Sequence, residues 1–474
     1  TTTDRIRMPH SAYSEAMNGQ GSSALRRRIA RIRESMDARL WPVPLTAVIG
    51  GVLIGIALPA MDRIVDPTLP TWVSAAVFGG GVDAARTVLS AIAGSLITAA
   101  SLTFSLTVVA LQLATSQGSP RLLRMFAADR MVHATLAVFL GTFAYAITVL
   151  RTVDDATEQR EAFVPRVSMT VASVLTLASI VLLTLFLAHL ARQLRVETMM
   201  RDVHREASAT MSRMGEAFAV SETGVPERPV NVRVVVAPAS GFLTGVDRDR
   251  LMSVAASDDL VVRELRVVGE NVIEKTPLVE WWPRREDSEL DVAGIAERLA
   301  SAFSSGYERT AAQDVGFGLR QLVDIAVKAL SPGVNDPTTA VHALGHISAV
   351  LGDLSEIDDP PAAYADADGI ARLLPRGGGF TLHVDIGLGQ IRRYGNGDPE
   401  VMARLLGVLD DLAWRVHDQR QRAVIASQLE RTERTLANAT YDEVERARFR
   451  ALADGVRGRL DLDRTAAASQ PAPG

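Results

Sequence analysis

Long apolar runs occupy the first part of the chain, and amphipathic patterns occupy the rest. Four runs of 19 to 26 residues contain no Asp, Glu, Lys or Arg, and they cover residues 41–61, 88–113, 132–150 and 167–190. A helix of about 20 apolar residues crosses the roughly 30 Å of hydrocarbon in a bilayer. The pattern therefore predicts four transmembrane helices within residues 41–190.

The remainder of the chain predicts a mixed soluble region. Short runs of Val, Leu and Trp separated by glycine turns within 231–285 are typical of a small β-rich module. Helical periods follow over 286–462, with one additional strand predicted from Phe380 to Val384. The predicted fold class is an α-helical transmembrane bundle of four spans followed by a mixed α+β cytoplasmic domain, with a small β-rich module and a helical C-terminal part. The other predicted divisions are a basic N-terminal segment over 1–40, a helical linker over 191–230 and a disordered tail over 463–474.

Charge is distributed unevenly along the chain. Residues 1–195 carry 18 Lys and Arg against 12 Asp and Glu, whereas the rest carries 32 against 43. Arginines cluster before the first span and after the second and fourth, which predicts that both termini face the cytoplasm of a bacterial inner membrane. The acidic second part argues against nucleic acid as a partner.

The second span carries a stripe of small and polar residues at helical spacing. One interpretation is close helix–helix packing, in which small residues let backbones approach. The other is a water-facing wall, formed when a homo-oligomer places several copies of this helix around an axis. The candidate pore-lining residues are Gly94, Thr98, Ser101, Ser105 and Gln112. The absence of Asp, Glu, Lys and Arg from the four apolar runs argues against a carboxylate-driven pump.

The densest polar segment of the second part runs from residue 308 to residue 346. Arg320, Asp324 and Lys328 follow one another at four-residue spacing and share one helix face, as either an active-site cluster or an ion network in a packing interface. Asn335 or Asp336 is positioned to cap the following helix. The candidate polar cluster comprises Arg309, Asp314, Arg320, Asp324, Lys328, Asn335 and Asp336.

Two histidines in the same segment have a spacing that suits a metal ion. His342 and His346 are four residues apart, so that two imidazoles on one helix face could bind zinc together with Asp336. The alternative is a helix face that contacts a polar neighbour. The chain has no cysteine, which excludes disulfides and Cys-ligated metal sites. We predict no catalytic residue, no enzyme activity and no cofactor.

Three stretches together carry a resemblance to a known family. They are residues 101–124 (SLTFSLTVVALQLATSQGSPRLLR, followed by Phe126 and Asp129), Gly241-Phe242-Leu243 with Asp247, and residues 309–340 (RTAAQDVGFGLRQLVDIAVKALSPGVNDPTTA). The chain resembles a bacterial family of predicted four-span membrane proteins of unknown function, in which Tyr is commoner at the position of Phe242. The resemblance covers roughly residues 30–450 and implies membrane spans followed by a cytoplasmic domain. It implies no reaction and no established site.

Three functions are compatible with these patterns. The first is an oligomeric passive channel for an ion or small solute, gated by its cytoplasmic domain. The alternative is a membrane-anchored sensor or scaffold whose cytoplasmic domain binds a ligand or partner. A remote alternative is a membrane-bound metal-dependent hydrolase. The expected partners are the lipid bilayer, further copies of the chain and an unidentified ion or small ligand.

Overall fold

The computed structural model describes residues 41–65, 78–117, 129–154, 163–193, 195–214, 224–285, 290–357 and 359–468. The chain divides into two compact units at the boundary between Leu194 and Arg195. We call them the membrane unit and the second unit. The predicted basic segment 1–40 lies outside the described residues.

Four long apolar helices form the membrane unit. They are α1 (Pro42–Val65), α2 (Val82–Gln117), α3 (Arg130–Leu150) and α4 (Arg166–Gln193). Each is long and apolar enough to cross a bilayer, which confirms the predicted bundle of four spans. Helix α2 starts six residues before the apolar run and includes Asp83 and Arg86 in its first turns.

Helix α3 is the centre of the membrane unit, because α1, α2 and α4 all pack against it. Small residues allow α1 to approach it closely. A Cβ atom built on Gly51 would lie 2.3 Å from the carbonyl oxygen of Gly141, and one on Gly55 would lie 2.8 Å from the Cβ of Thr148. This contact is the close packing that small residues make possible between membrane helices.

Buried carboxylates join the helix ends. The hydroxyl and backbone N–H of Ser168 donate to Oδ2 of Asp62 at 2.7 and 2.9 Å, so that the end of α1 is tied to the start of α4. Asp129 caps α3 by accepting the backbone N–H of Met131 at 2.7 Å. Its other oxygen lies 2.8 Å from Nε2 of His189 in α4. Each buried carboxylate is thus satisfied by hydrogen bonds, as burial of a charged group requires.

Among its described residues, the second unit has two small sheets and nine helices. The helices are α5 (Val196–Met214), α6 (Arg248–Ser257), α7 (Val292–Ala300), α8 (Val315–Ala329), α9 (Pro337–Ser355), α10 (Gly379–Tyr394), α11 (Pro399–Arg415), α12 (Gln419–Ala437) and α13 (Glu443–Ala468). The strands are β1 (Arg233–Val236), β2 (Gly241–Val246), β3 (Leu260–Glu264), β4 (Asn271–Val272), β5 (Pro277–Pro283), β6 (Phe303–Gly306), β7 (Tyr364–Ala365) and β8 (Ala371–Leu374).

The β-rich region extends beyond the predicted 231–285 module. One sheet has the order β1-β5-β3-β8-β7, in which only the β3–β8 pair is parallel, and the other has the order β4-β2-β6. Strands β6, β7 and β8 therefore come from later in the chain. Arg372 on β8 is almost fully buried, and its positive charge is compensated by an ion pair with Asp366 at 2.8 Å.

Two further expectations need correction. The segment from Phe380 to Val384 is the start of helix α10 and not a strand, because Phe380, Val384, Leu388 and Ile391 are buried at helical spacing against the neighbouring helices. The tail does not begin at 463, because α13 continues to Ala468; residues 469–474 lie outside the described part. The four-helix bundle, the mixed second unit and its helical C-terminal part are confirmed.

Substituting Gly51→Val should destabilise the membrane unit, because the new side chain would overlap the backbone of α3. We expect a loss of about 1–3 kcal/mol, typical of overpacking, seen as a lower melting temperature in detergent. The matched control is Gly50→Val, since a Cβ on Gly50 meets no atom within 4 Å. Equal melting temperatures for the two variants would contradict the close contact.

Candidate functional site

The predicted pore-lining stripe lies on the outer face of the membrane unit. One side of α2 is buried against its neighbours, with Leu89, Leu96, Ala100 and Ala110 in the core. The stripe occupies the opposite side, where all five candidates are exposed: Gly94, Thr98, Ser101, Ser105 and Gln112. Packing among the described residues of one membrane unit therefore does not use the stripe.

The stripe forms a shallow depression between apolar side chains. Thr98, Ser101 and Ser105 line it together with Ile97 and Leu102. The hydroxyl of Thr98 donates to the carbonyl oxygen of Gly94 at 2.9 Å, so it is satisfied within its own helix. The hydroxyl oxygen still has lone pairs available to a water molecule or a cation.

In the second unit, Arg309 and Asp314 form a largely buried ion pair. The guanidinium of Arg309 donates to Oδ2 of Asp314 through Nε at 2.9 Å and Nη2 at 2.6 Å. The other carboxylate oxygen caps α8 by accepting the N–H of Phe317 at 3.0 Å. Burial raises the pKa of the Asp314 carboxyl, and the adjacent Arg309 opposes that shift. The pair is therefore a structural clamp at the start of α8.

Gly269 makes room for this clamp. Its φ of +93° favours glycine, and a Cβ there would lie 2.2 Å from Oδ2 of Asp314 and 2.6 Å from Nη2 of Arg309. Gly269 belongs to the turn before β4, so the clamp joins the small sheet to the helical region. His383 of α10 also lies near the clamp; burial lowers its pKa, and its Nδ1 is 2.7 Å from the carbonyl oxygen of Gly379.

Arg320, Asp324 and Lys328 lie half-buried on α8, as the four-residue spacing predicts. The rest of α8 is buried almost all round, and the helix packs against α5, α9 and α10. The three charges thus lie at the edge of a packed helix rather than in an open cleft.

Asn335 and Asp336 form the turn between α8 and α9. Asn335 has a φ of +51°, and Asp336 caps α9 by accepting the N–H and hydroxyl of Thr339 at 3.1 and 2.6 Å. These hydrogen bonds, with the hydroxyl of Thr339 first, lower the pKa of Asp336. Of the two capping alternatives, the structure selects Asp336.

The histidines are paired differently from their sequence spacing. Nδ1 of His346 lies 3.1 Å from Nδ1 of His204 on α5, whereas His342 is exposed. Because one nitrogen must donate and the other accept, only one Nδ1 of this pair carries a hydrogen. Among the described residues, no group of three or more His, Cys, Asp or Glu could hold a metal ion. The carboxylate of Asp336 serves as the cap of α9 instead.

Two residues of these sites could not be found from sequence spacing. His204 is 142 positions from His346, and Gly269 is 45 positions from Asp314. The one available signal for Gly269 is its place in a Gly-Glu-Asn turn, which indicates a positive φ but not the ion pair beside it.

The fold and these sites define a four-span membrane protein with a mixed α+β unit attached. Residues 37–411 match the family described as "Predicted membrane protein (DUF2254)", and the chain belongs to that family. It is similar to the uncharacterized proteins Rv1290c of Mycobacterium tuberculosis and Mb1321c of Mycobacterium bovis. Each is 32% identical to it over 443 residues, which is 92% of this chain and 83% of the relative. No solved structure matches it.

Gly269→Ala should weaken the clamp, because the substitution combines a strained φ with an overlap onto Asp314. We expect a loss of about 1–3 kcal/mol, measured as a lower melting temperature of the full-length protein in detergent. Gly333→Ala is the control, since a Cβ there meets no atom within 4 Å and its φ is ordinary. A Gly269→Ala variant as stable as Gly333→Ala would contradict a structural role for Gly269 beside the clamp.

The histidine pair should make stability depend on pH. Burial, followed by the proximity of His204 and His342, lowers the pKa of His346 below its usual value near about 6.5. As the pH falls below that usual value, the unfolded chain binds a proton that the folded His346 refuses, so the free energy of unfolding decreases. We expect melting temperatures to fall between about pH 6.5 and 5.

This dependence of the melting temperature on pH should be reduced by His346→Gln and retained by His417→Gln, whose side chain is exposed in the loop after α11. Melting temperatures of the full-length protein at successive pH values measure it. Equal slopes in both variants would show that another group carries the dependence.

Proposed function

We propose that the protein is an oligomeric passive channel for an ion or small solute in the bacterial inner membrane, with both termini in the cytoplasm. The observation that carries this proposal is the outward orientation of the α2 stripe. Gly94, Thr98, Ser101, Ser105 and Gln112 are all exposed on a helix that otherwise packs through its opposite face. Several copies around an axis would turn these side chains toward a shared water-filled path.

Small residues mediate close helix–helix packing at another place in the membrane unit. Gly51, Gly55 and Gly141 make the close contact between α1 and α3. The stripe is therefore available for contact with something other than its own bundle. Hydroxyl and amide groups replace part of the hydration of an ion without a fixed charge, which suits a passive pore of weak selectivity.

The second unit would assemble and gate the ring. Only Leu194 and Arg195 separate α4 from α5 along the chain. Helix α5 packs against α8 and α9, and a Cβ on Gly318 of α8 would lie 3.0 Å from the Cβ of Ala207. In this proposal, a movement of α5 within this tight packing is the step that gates the pore.

Ser105→Trp tests the pore wall. We expect it to reduce potassium flux through proteoliposomes by about tenfold or more, because the indole would fill the path. Leu177→Trp is the matched control, since Leu177 is 64% exposed on α4 and lies outside the stripe. Native mass spectrometry of the detergent-purified protein should show a closed oligomer for the wild type and both variants.

Unchanged flux in Ser105→Trp would remove α2 from the pore wall. A monomer without flux would contradict the channel and favour a membrane-anchored sensor or scaffold.

A further inference from the structure

The second unit contains a surface cleft that the channel proposal does not use. It lies between α9, α11 and α13 and has a volume of about 600 Å³. Small residues of α9, Gly345 and Ala349, line one side, and Gly345 has no atom within 4 Å of its would-be Cβ. Clefts of about 300–1,000 Å³ are the size that holds small-molecule ligands.

An exposed tryptophan stands at this cleft. Trp414 is 72% exposed, although its neighbours Leu412 and Ala413 on α11 are buried. The guanidinium of Arg459 lies over the indole, 5.4 Å from the ring centroid. A large aromatic ring left in water beside a guanidinium provides a platform on which a planar ring can stack.

Three arginines line the same cleft with their guanidinium groups partly open to solvent. Arg404 pairs with Asp411 at 3.2 Å, Arg415 pairs with Asp353 at 3.3 Å and also with Glu356, and Arg459 pairs with Asp410. The side chains of these arginines are 31%, 34% and 40% exposed. The hydroxyl of Ser348 donates to Asp411 at 3.0 Å and holds that carboxylate in place.

These ion pairs orient the guanidinium groups and leave them partly exposed to solvent. An exposed pair of this kind contributes only about 0–1 kcal/mol, so a guanidinium can turn to a stronger partner at little cost. A phosphate group is such a partner, because it accepts two parallel hydrogen bonds from one guanidinium. A molecule with both a planar ring and phosphate groups would therefore fit the cleft, its aromatic ring and its arginines.

We propose that this cleft binds a nucleotide, with the base stacked on Trp414 and the phosphates held by the arginines. The spacing along α11 supports separate positions for the base and the phosphates. Arg404, Asp411 and Arg415 follow at seven and four residues and share one face, whereas Asp410 and Trp414 lie on the adjacent face toward Arg459. This binding site goes beyond the proposed channel and does not depend on conduction.

Calorimetric titration of the full-length protein in detergent tests the proposal, with ATP, adenosine and inorganic tripolyphosphate as probes. ATP should bind saturably and about tenfold or more tightly than either fragment, because only ATP uses both the ring and the arginines. Trp414→Leu and Arg459→Gln should each weaken ATP binding by about tenfold. Melting temperatures confirm that the variants are folded.

Two matched controls should leave ATP binding within about twofold. Tyr394→Leu removes another exposed aromatic ring, and Arg450→Gln removes an exposed arginine from the same helix as Arg459. Tripolyphosphate binding as tight as that of ATP and insensitive to Trp414→Leu would reduce the cleft to a simple anion site and overturn the proposal. Absence of ATP binding would also overturn it, and a changed oligomer mass in Trp414→Leu would then assign the cleft to contact between copies.

Discussion

Close contact between α1 and α3 is the constraint on which the membrane unit depends. The backbones approach at Gly51 and Gly141 so closely that a single methyl group would overlap a carbonyl oxygen. Helix α3 consequently becomes the buried centre, and the other three helices are arranged around it. In hydrocarbon no hydrophobic force pulls helices together, so this packing is the term that sets the arrangement. Helix α2 packs through the side that carries Leu89 and Leu96, which leaves its polar stripe on the outside.

Buried charges with hydrogen-bonding partners fix the positions of the helix ends and of elements in the second unit. Asp62 and Asp129 are buried carboxylates that join helix ends through several hydrogen bonds each. The Arg309–Asp314 clamp does the same at the start of α8. A buried carboxylate without partners would be strongly destabilising, so each of these groups fixes the position of the groups around it. Within the polar segment 309–340, Arg309, Asp314 and Asp336 thus serve in the clamp and in helix caps.

The two sites proposed for function are of a different kind, because their polar groups remain open. The hydroxyl of Thr98 on α2 is bonded within its own helix, and the guanidinium groups around Trp414 form ion pairs that leave them partly exposed to solvent. Such groups can bind water, an ion or a ligand at a small cost in free energy. This difference separates Thr98 or Arg404 from Asp314, although all three are polar residues on helices.

The sequence by itself determined what depends on one contiguous segment. Four apolar runs were enough to predict the bundle, and capping residues such as Asp336 marked a helix start, because apolar length and local hydrogen bonding are properties of neighbouring residues. Only the tertiary structure decided which face of α2 is exposed, that His346 meets His204 and not His342, and that Phe380 begins a helix. Those outcomes depend on residues far apart in the chain, and no local periodicity records which distant segment a side chain will contact.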